Sequence, residues 1–242
     1  MSRRSPRCYI ARRSDTMIDG CVLIQAPGKA RENSMPIELH AFDTPNGRKI
    51  SVALEEMALP YTVKIVDLRK QEQFEPEFLK ISPSGKIPAI VDPEGPSGKP
   101  VSVFESGAIL IYLGEKTGKF WPRDLEARIP VLEWLMFQMG NFGPIPGQVH
   151  HFATIEIESD RRYGLERFSA ETRRLYAVMD RRLAAHEYFA DDVSIADFAI
   201  LGWAWRHSRH KVDLADYPHM RRWYDMMMGR PGVQRGFAVK LS

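Results

Sequence analysis

The sequence predicts two domains of different class, an α/β domain over residues 36–118 and an all-α domain over residues 124–242. Three observations support this prediction. Short β-rich segments alternate with helical patterns in the first domain, strand signals largely vanish in the second, and Gly118 to Arg123 between them has the composition of a linker. A chain of 242 residues is long enough for either one large or two small domains.

The α/β domain begins with a strand, a helix and a second strand. Ile37 to Phe42 is typical of a buried strand, and Tyr61 to Val66 is alternating and rich in β-branched residues. Between them, apolar residues recur at helical spacing. These are Ile50, Ala53, Leu54 and Met57. The unit therefore predicts a βαβ crossover with a parallel strand pair.

The rest of this domain predicts a hairpin and a helix. Ala89 to Val91 and Val101 to Phe104 flank a Pro- and Gly-rich turn segment, Asp92 to Pro100. Gly107 to Leu113 is almost wholly apolar, as expected for a helix buried between a sheet and a second layer. A βαβ unit followed by a ββα unit is the arrangement of a thioredoxin-like domain.

The second domain carries helical patterns throughout. Val131 to Met139 is apolar and aromatic, and Ser194-Ile195-Ala196-Asp197 is a capping box at the start of a further helix. Two other helices each show one apolar face. The first face comprises Leu165, Phe168, Thr172, Leu175, Met179 and Leu183, and the second comprises Met220, Trp223, Tyr224 and Met227.

Residues 1–35 are expected to be a disordered or non-native leader, because they are Arg-rich and show no periodicity. The apolar run Cys21 to Ile24 is too short for a secretory signal. An organelle transit peptide and an extension upstream of the true start, at Met17 or Met35, both stay open.

Charge and cysteine content exclude several functions for the folded part. The leader holds seven Lys/Arg and three Asp/Glu, which leaves 27 Lys/Arg and 28 Asp/Glu in residues 36–242 and predicts no nucleic-acid surface. No apolar run is long enough to span a bilayer, so no membrane association is expected. Both cysteines, Cys8 and Cys21, lie in the leader. Any thiol chemistry in the folded part must therefore use a thiol that arrives with a ligand.

Pro88 heads a predicted strand in which it cannot donate a hydrogen bond, so it belongs to an edge or a turn. Ser82 to Gly85 before it has turn composition, and an Ile-Pro bond is a place where a cis peptide costs little. A cis bond would leave the amide and carbonyl of Ile87 free to pair with an extended peptide ligand.

Glu105 and Ser106 stand where a strand ends and a helix begins. The Ser106 hydroxyl and the free amides of the first helical turn favour a carboxylate, and Glu105 would face an ammonium. Together they match the zwitterionic γ-glutamyl end of glutathione, while the Ile87 backbone matches its cysteinyl part. In the alternative interpretation, Ser106 only caps a helix and Pro88 only ends a turn.

The predicted reactive centre is Thr44-Pro45-Asn46-Gly47, between the first strand and the first helix. It contains no cysteine, and no tyrosine stands near the end of the strand, so the Thr44 hydroxyl and the Asn46 amide remain as groups that could stabilise a bound thiolate. Hydrogen bonds to an ionised group contribute about 1.5–3 kcal/mol, or about one to two pKa units, which would make a thiol of pKa about 8.5 mostly ionised. A simple helix cap and turn is the alternative.

These residues resemble the glutathione transferase superfamily, in particular the bacterial nu class and the related fungal nitrogen-regulator domain. The resemblance runs from about Ile37 to the C-terminus, and Thr-Pro-Asn-Gly is its most class-specific part. The matching segments are Thr44 to Ile50, Gln73-Phe74, Ser82 to Val91, Phe104 to Leu113, and Gly147 to Phe152.

The resemblance implies a homodimeric, cytoplasmic enzyme that uses glutathione as co-substrate, without a metal, to reduce small-molecule disulfides and organic hydroperoxides. The implied glutathione contacts are Asn46, Gln73, Ile87, Pro88, Glu105, Ser106 and Arg167. Lys86 either pairs with the glycyl carboxylate or faces water. Conjugation of electrophiles and a non-enzymatic regulatory role stay open, whereas metal sites at His150-His151 or at His207 and His210 are disfavoured for want of further ligands.

Overall fold

The computed structural model describes residues 35–242 and the backbone of residues 17–18 and 21–24. The strands are β1 (Met17–Ile18), β2 (Cys21–Ile24), β3 (Ile37–Ala41), β4 (Tyr61–Ile65), β5 (Ala89–Asp92) and β6 (Val101–Phe104). The helices are α1 (Pro45–Met57), α2 (Pro76–Ile81), α3 (Ser106–Thr117), α4 (Leu125–Gly140), α5 (Pro144–Phe152), α6 (Glu158–Ala185), α7 (Ile195–Ala204), α8 (Pro218–Met228) and α9 (Pro231–Ala238). Short 3₁₀ turns join some of these elements.

The described strands form one sheet in the order β1-β2-β4-β3-β5-β6. β3 and β4 run parallel, while β5 pairs antiparallel with both β3 and β6. The prediction of a βαβ unit followed by a ββα unit is confirmed, as is the fold class, a thioredoxin-like domain followed by a helical domain. Alternation along β3 buries Ile37, Leu39 and Ala41 on the sheet face that α1 and α3 cover. A smaller apolar cluster around Val66 and Phe78 covers the opposite face.

Two segments of the expected leader differ from the sequence expectation. We expected residues 1–35 to be disordered or non-native, but β1 and β2 pair with each other, and β2 pairs antiparallel with β4. The register places Leu23 opposite Thr62 and Ile24 opposite Tyr61. The physical reason is that the outer edge of β4 presents unpaired backbone groups that a β-rich segment such as Cys21–Ile24 can satisfy. The remaining leader residues, including Cys8, lie outside the described part of the chain.

Helix α7 joins the two domains. All ten of its residues are buried, and it packs against both α1 and α4. A Cβ atom at Gly202 would lie 2.6 Å from the carbonyl oxygen of Pro45 and 2.7 Å from Cγ of Lys49, so only glycine permits this approach. The close contact holds the C-terminal end of α7 beside the first turn of α1, where the reactive centre is predicted.

The predicted capping box fixes the start of α7. Ser194 Oγ accepts a hydrogen bond from the Ala196 amide, and Asp197 Oδ2 accepts one from the Ser194 amide at 2.9 Å. Trp223 Nε1 of α8 donates to Asp197 Oδ1 at 2.9 Å, so the box also ties α8 to α7. Burial raises the pKa of the Asp197 carboxyl. The capping box therefore has a folding role.

Candidate functional site

A cleft lies where the loop before β5, the start of α3 and the start of α1 meet α4. Its lining residues are Asn46, Ser84, Lys86, Ile87, Pro88, Glu105, Ser106 and Met139. Six of the nine residues that the sequence predicted for the site are therefore brought together: Asn46, Lys86, Ile87, Pro88, Glu105 and Ser106. Met139 was not predicted as a site residue, although it ends the apolar and aromatic segment Val131 to Met139.

The loop before β5 presents a peptide backbone to this cleft. The Ile87–Pro88 bond is cis, as the sequence suggested. Ser82 Oγ donates to the carbonyl of Lys86 at 2.7 Å, which holds the loop. The amide and carbonyl of Ile87 take part in none of the turn and loop hydrogen bonds among residues 35–242. They remain available to an extended ligand.

Glu105 immediately precedes α3 and has an unusual backbone conformation. Its φ is 68°, in the left-handed region that non-glycine residues seldom adopt, and its side chain makes no capping hydrogen bond. Such conformations cost about 1–3 kcal/mol and concentrate at functional sites. Its carboxylate is exposed at the cleft, and the amides of the first turn of α3, beginning with Ser106, face the same region. Glu105 and Ser106 therefore line the same cleft, where the sequence predicted an acid beside an anion site.

Thr44 is the N-cap of α1, and its Oγ1 accepts a hydrogen bond from the Gly47 amide at 3.1 Å. Thr44 therefore caps α1, as the alternative interpretation of this segment expected. Thr44 does not line the cleft. Its hydroxyl hydrogen is not used in this contact and can still be donated.

Asn46 is held by a residue that the sequence did not reveal. Trp203 Nε1, at the C-terminal end of α7, donates to Asn46 Oδ1 at 2.9 Å. An indole nitrogen can only donate, so this contact fixes which atom of the Asn46 amide faces Trp203. Asn46 Nδ2 makes no hydrogen bond to any described residue, which leaves both of its hydrogens for an acceptor in the cleft.

Trp203 is itself supported by a stack of buried rings. His150 stacks on Trp203 with ring centroids 5.8 Å apart, and His210 stacks on His150 at 4.9 Å. Tyr176 Oη lies 2.9 Å from His210 Nδ1. Burial lowers the pKa of His150 to about 4 and that of His210 to about 3, so both rings are neutral near pH 7. No cluster of three or more potential metal ligands occurs among the described residues.

Lys49 is a second residue that sequence reasoning missed. It lies three residues after Asn46 on α1 and is completely buried. Its Nζ donates to Gln138 Oε1 at 2.6 Å and to Ser106 Oγ at 3.2 Å, and it lies 3.6 Å from Met139 Sδ. Burial lowers the pKa of Lys49 to about 7, opposed by the charge of Glu105. A lysine in an apolar helix pattern gives no signal that its head group is buried beside a site.

Gln73 lies behind the loop rather than in the lining of the cleft. Its carbonyl oxygen would be 3.4 Å from a Cβ atom at Gly85, next to the cleft residues Ser84 and Lys86. Its Oε1 is buried and has no hydrogen-bond partner among the described residues.

Arg167 was expected beside this cleft, but the structure places it elsewhere. It lies on α6 in a separate groove, with Ile145, Tyr163, Phe168 and Glu171 among its neighbours. Helix α6 packs along α5, and Arg167 therefore shares this groove with Ile145 of α5. Arg167 is therefore not part of the cleft that this chain forms.

A thioredoxin-like domain with a cleft of this composition, joined to a helical domain, is the architecture of a glutathione transferase. Residues 44–116 match the family model for the glutathione S-transferase N-terminal domain, and residues 148–231 match that for the C-terminal domain. The chain belongs to the glutathione S-transferase family. Among residues 35–242, no helix has both the length and the apolar character needed to cross a bilayer.

Individual relatives and solved structures show which members of the family this chain resembles. Disulfide-bond oxidoreductase YfcG of Escherichia coli is 45% identical over 199 residues, which cover 81% of this chain and 92% of that protein. A glutathione transferase structure from Pseudomonas putida, with one glutathione disulfide bound per subunit, has a TM-score of 0.79 at 38% identity and covers 88% of this chain and 94% of its own. A Burkholderia graminis structure with two glutathione molecules bound per subunit has a TM-score of 0.77 at 39% identity, covering 87% and 89%.

Proposed function

We propose that this protein is a glutathione-dependent disulfide reductase in which bound glutathione supplies the reactive thiol. One observation carries the proposal: the cleft gathers a free peptide edge at Ile87, the Glu105–Ser106 pair and the Asn46 amide, while residues 36–242 contain no cysteine. In this proposal the site holds a thiol peptide, because residues 36–242 cannot themselves supply the thiol. Relatives named as disulfide-bond oxidoreductases, and a related structure with glutathione disulfide bound, support the same reaction class.

In this proposal, the three parts of glutathione meet three parts of the cleft. The γ-glutamyl carboxylate lies at Ser106 and the first amides of α3, and its ammonium faces Glu105. The cysteinyl backbone pairs with Ile87 beside Pro88, and Lys86, exposed at the rim, meets the glycyl carboxylate. Gln73 reaches the γ-glutamyl end from behind the loop. Arg167 has no part in this arrangement.

The thiol of bound glutathione then lies toward the first turn of α1. Asn46 Nδ2 is the principal donor to the thiolate, because Trp203 occupies the amide oxygen. Thr44 adds its hydroxyl hydrogen from the N-cap position. Together with the helix N-terminus, such donors lower a thiol pKa by about one to two units from about 8.5, which makes about half to nine-tenths of the bound thiol ionised at pH 7.5.

The proposed reaction is thiol–disulfide exchange in two steps. The glutathione thiolate attacks one sulfur of the substrate disulfide, which forms a mixed disulfide and releases the other half as a thiolate that takes up a proton. A second glutathione thiolate attacks the glutathione sulfur of the mixed disulfide, giving glutathione disulfide and the second substrate thiol. Two glutathiones are oxidised as one substrate disulfide is reduced. An organic hydroperoxide would be reduced to an alcohol and water by the same two glutathiones.

A comparison of two substrates tests this function. We expect purified protein to turn over 2-hydroxyethyl disulfide with glutathione much faster than it conjugates chlorodinitrobenzene. Conjugation without disulfide turnover would establish the alternative of an electrophile-conjugating transferase. Binding of glutathione without turnover of either substrate would establish a non-enzymatic, regulatory binding protein.

We also propose that the protein is a homodimer that acts in the cytoplasm. Helix α4 carries an exposed apolar stripe formed by Leu125, Ile129 and Met136, which are 67%, 47% and 50% exposed. Their spacing of four and seven residues puts them on one face of the helix. A contiguous apolar face of this kind is typical of a protein interface. A cytoplasmic location fits a reaction that consumes glutathione in its thiol form, which a reducing compartment maintains.

A further inference from the structure

Lys49 is a buried cation without a buried counter-ion. It is completely inaccessible to solvent, and among the described residues no carboxylate forms an ion pair with it. Its three contacts are the amide oxygen of Gln138, the hydroxyl of Ser106 and the sulfur of Met139, all of which are uncharged. A buried ammonium held only by neutral groups is costly unless a negative charge compensates it.

The surroundings of Lys49 direct it toward the cleft. Gln138 Nε2 donates to the carbonyl of Phe142, which turns Oε1 of the same amide toward Lys49. A rotation of this amide would break both hydrogen bonds. Helix α7 closes the remaining side, where Gly202 lies against the Lys49 stem. The charged group that faces Lys49 from the elements packed around it is Glu105, at the start of α3. Ser106 and Met139 are thus the contacts of Lys49 that also line the cleft.

The hydrogen bond from Lys49 also sets the direction of the Ser106 hydroxyl. When Lys49 donates to Ser106 Oγ, that oxygen is used as an acceptor and its own hydrogen is free. Ser106 Oγ can donate this hydrogen to Met139 Sδ, 3.6 Å away, which is a weak acceptor. A carboxylate in the cleft would be a far stronger one.

We propose that Lys49 is the positioning cation of the γ-glutamyl carboxylate: it acts through Ser106 and takes up a proton when that carboxylate binds. The inference rests on the proposed function, because it places the γ-glutamyl group of glutathione at Ser106. Before a carboxylate binds, burial lowers the pKa of Lys49 to about 7, which brings its amine form within reach near neutral pH. A carboxylate one hydroxyl away supplies the missing negative charge and stabilises the ammonium form.

The way in which ligand affinity varies with pH follows from the linkage between ligand binding and the protonation of Lys49. Below the pKa of Lys49 in the free protein, the free and bound forms are both protonated, and affinity does not vary with pH through this group. Above it, binding must be accompanied by proton uptake, so the affinity falls by up to about tenfold per pH unit until the pKa of the complex is reached. The expected uptake is a fraction of a proton per ligand near neutral pH and rises toward one proton as the pH increases.

Calorimetric titration with S-methylglutathione tests the proposal, because this ligand keeps the γ-glutamyl group but has no ionisable thiol. The binding enthalpy, measured at pH 7.5 in buffers of different ionisation enthalpy, gives the number of protons taken up. We expect the wild type to take up protons when it binds the ligand, and Lys49→Met to take up fewer. The control Lys86→Met should bind the ligand more weakly but take up as many protons as the wild type. A proton taken up by the ligand ammonium is common to all three proteins and cancels in the comparison.

The possible results distinguish a failure of the Lys49 proposal from a failure of the proposed function. Lys49→Met keeps a similar volume, and replacing a buried cation with an apolar side chain is often neutral for folding. If the wild type binds the ligand without proton uptake and with an affinity independent of pH between 7 and 8.5, the Lys49 proposal is wrong whatever the variant does. Equal uptake in Lys49→Met and the wild type would also overturn it. If the wild type does not bind S-methylglutathione at all, the proposed function itself fails.

Discussion

Trp203 Nε1 donates to Asn46 Oδ1 at 2.9 Å, and this hydrogen bond joins the end of α7 in the helical domain to the first turn of α1 in the thioredoxin-like domain. The bond fixes the orientation of the Asn46 amide and leaves its Nδ2 group for the cleft. The proposed reactive centre therefore depends on both domains. Each domain alone would present only part of it.

Replacement of Asn46 by alanine removes the principal donor to the thiolate. We expect disulfide reductase activity to fall at least tenfold, because the lost hydrogen bond to an ionised sulfur is worth about 1.5–3 kcal/mol. The fold should be retained, since Thr44 still caps α1. The measurement is kcat/KM with 2-hydroxyethyl disulfide, alongside the thermal unfolding midpoint. Unchanged activity in a folded variant would remove Asn46 from the mechanism.

Replacement of Trp203 by phenylalanine separates orientation from packing. A phenyl ring can keep the stack on His150 but lacks the indole N–H, so the Asn46 amide becomes free to turn. We expect kcat to fall several-fold while the affinity for S-methylglutathione stays near the wild-type value. Trp205→Phe is the matched control, because Trp205 packs on Arg206 and not on Asn46. Equal losses in both variants would mean that Trp203 acts only through packing.

Replacement of Ser106 by alanine tests the anion site at the start of α3. Ser106 is the first helical residue and not the cap, so the helix should persist. We expect binding of S-methylglutathione to weaken by about tenfold, since a hydrogen bond to a carboxylate contributes about 1.5 kcal/mol. Ser102→Ala, at an exposed position on β6, should bind like the wild type. Wild-type affinity in Ser106→Ala would place the carboxylate elsewhere.

The buried histidine stack predicts a loss of stability in acid. Burial, and to a smaller degree Arg209 and Arg206, lower the pKa of His150 to about 4 from 6.5, so the unfolded chain binds more protons below about pH 6.5. The contribution of this group is fully present above that pH and falls as the pH drops toward 4. His150→Phe keeps the ring, and Nε2 of His150 has no partner to lose. Its urea midpoint should fall less between pH 7 and pH 4.5 than that of the wild type; an identical fall would contradict this account.

The exposed stripe on α4 predicts the effect of a charge on assembly. We expect Ile129→Glu to be monomeric by analytical ultracentrifugation, because a dimer interface there would bury an unpaired carboxylate. Glu126→Gln, on the same helix but off the stripe, should leave the wild-type state unchanged. A wild-type protein that is already monomeric would overturn the homodimer proposal.

Features set by short segments could be predicted from the sequence. The cis bond before Pro88, the helix start at Ser106 and the capping box at Ser194 each depend on a few neighbouring residues. The meeting of Pro88 and Ser106 in one cleft followed from recognising the fold.

Features set by packing between distant segments could not be predicted. Trp203 looks like one more apolar residue of a buried helix, and only the approach of Gly202 to α1 puts it beside Asn46. In the sequence, Lys49 resembles an exposed lysine, but contacts with α4 and α7 bury it completely. For Arg167, the sequence predicted the helix but not the position of the residue beside the cleft. Periodicity does not fix how a helix is rotated against another domain.

The ionisation of bound glutathione tests the central claim most directly. The thiolate can be followed by its ultraviolet absorbance as the pH of the saturated complex is varied, in the wild type and in Asn46→Ala. We predict that the bound thiol titrates about one to two pKa units below its value of about 8.5 in water, and that the variant returns most of the way to that value. A bound thiol that titrates near 8.5 in the wild type would contradict the account.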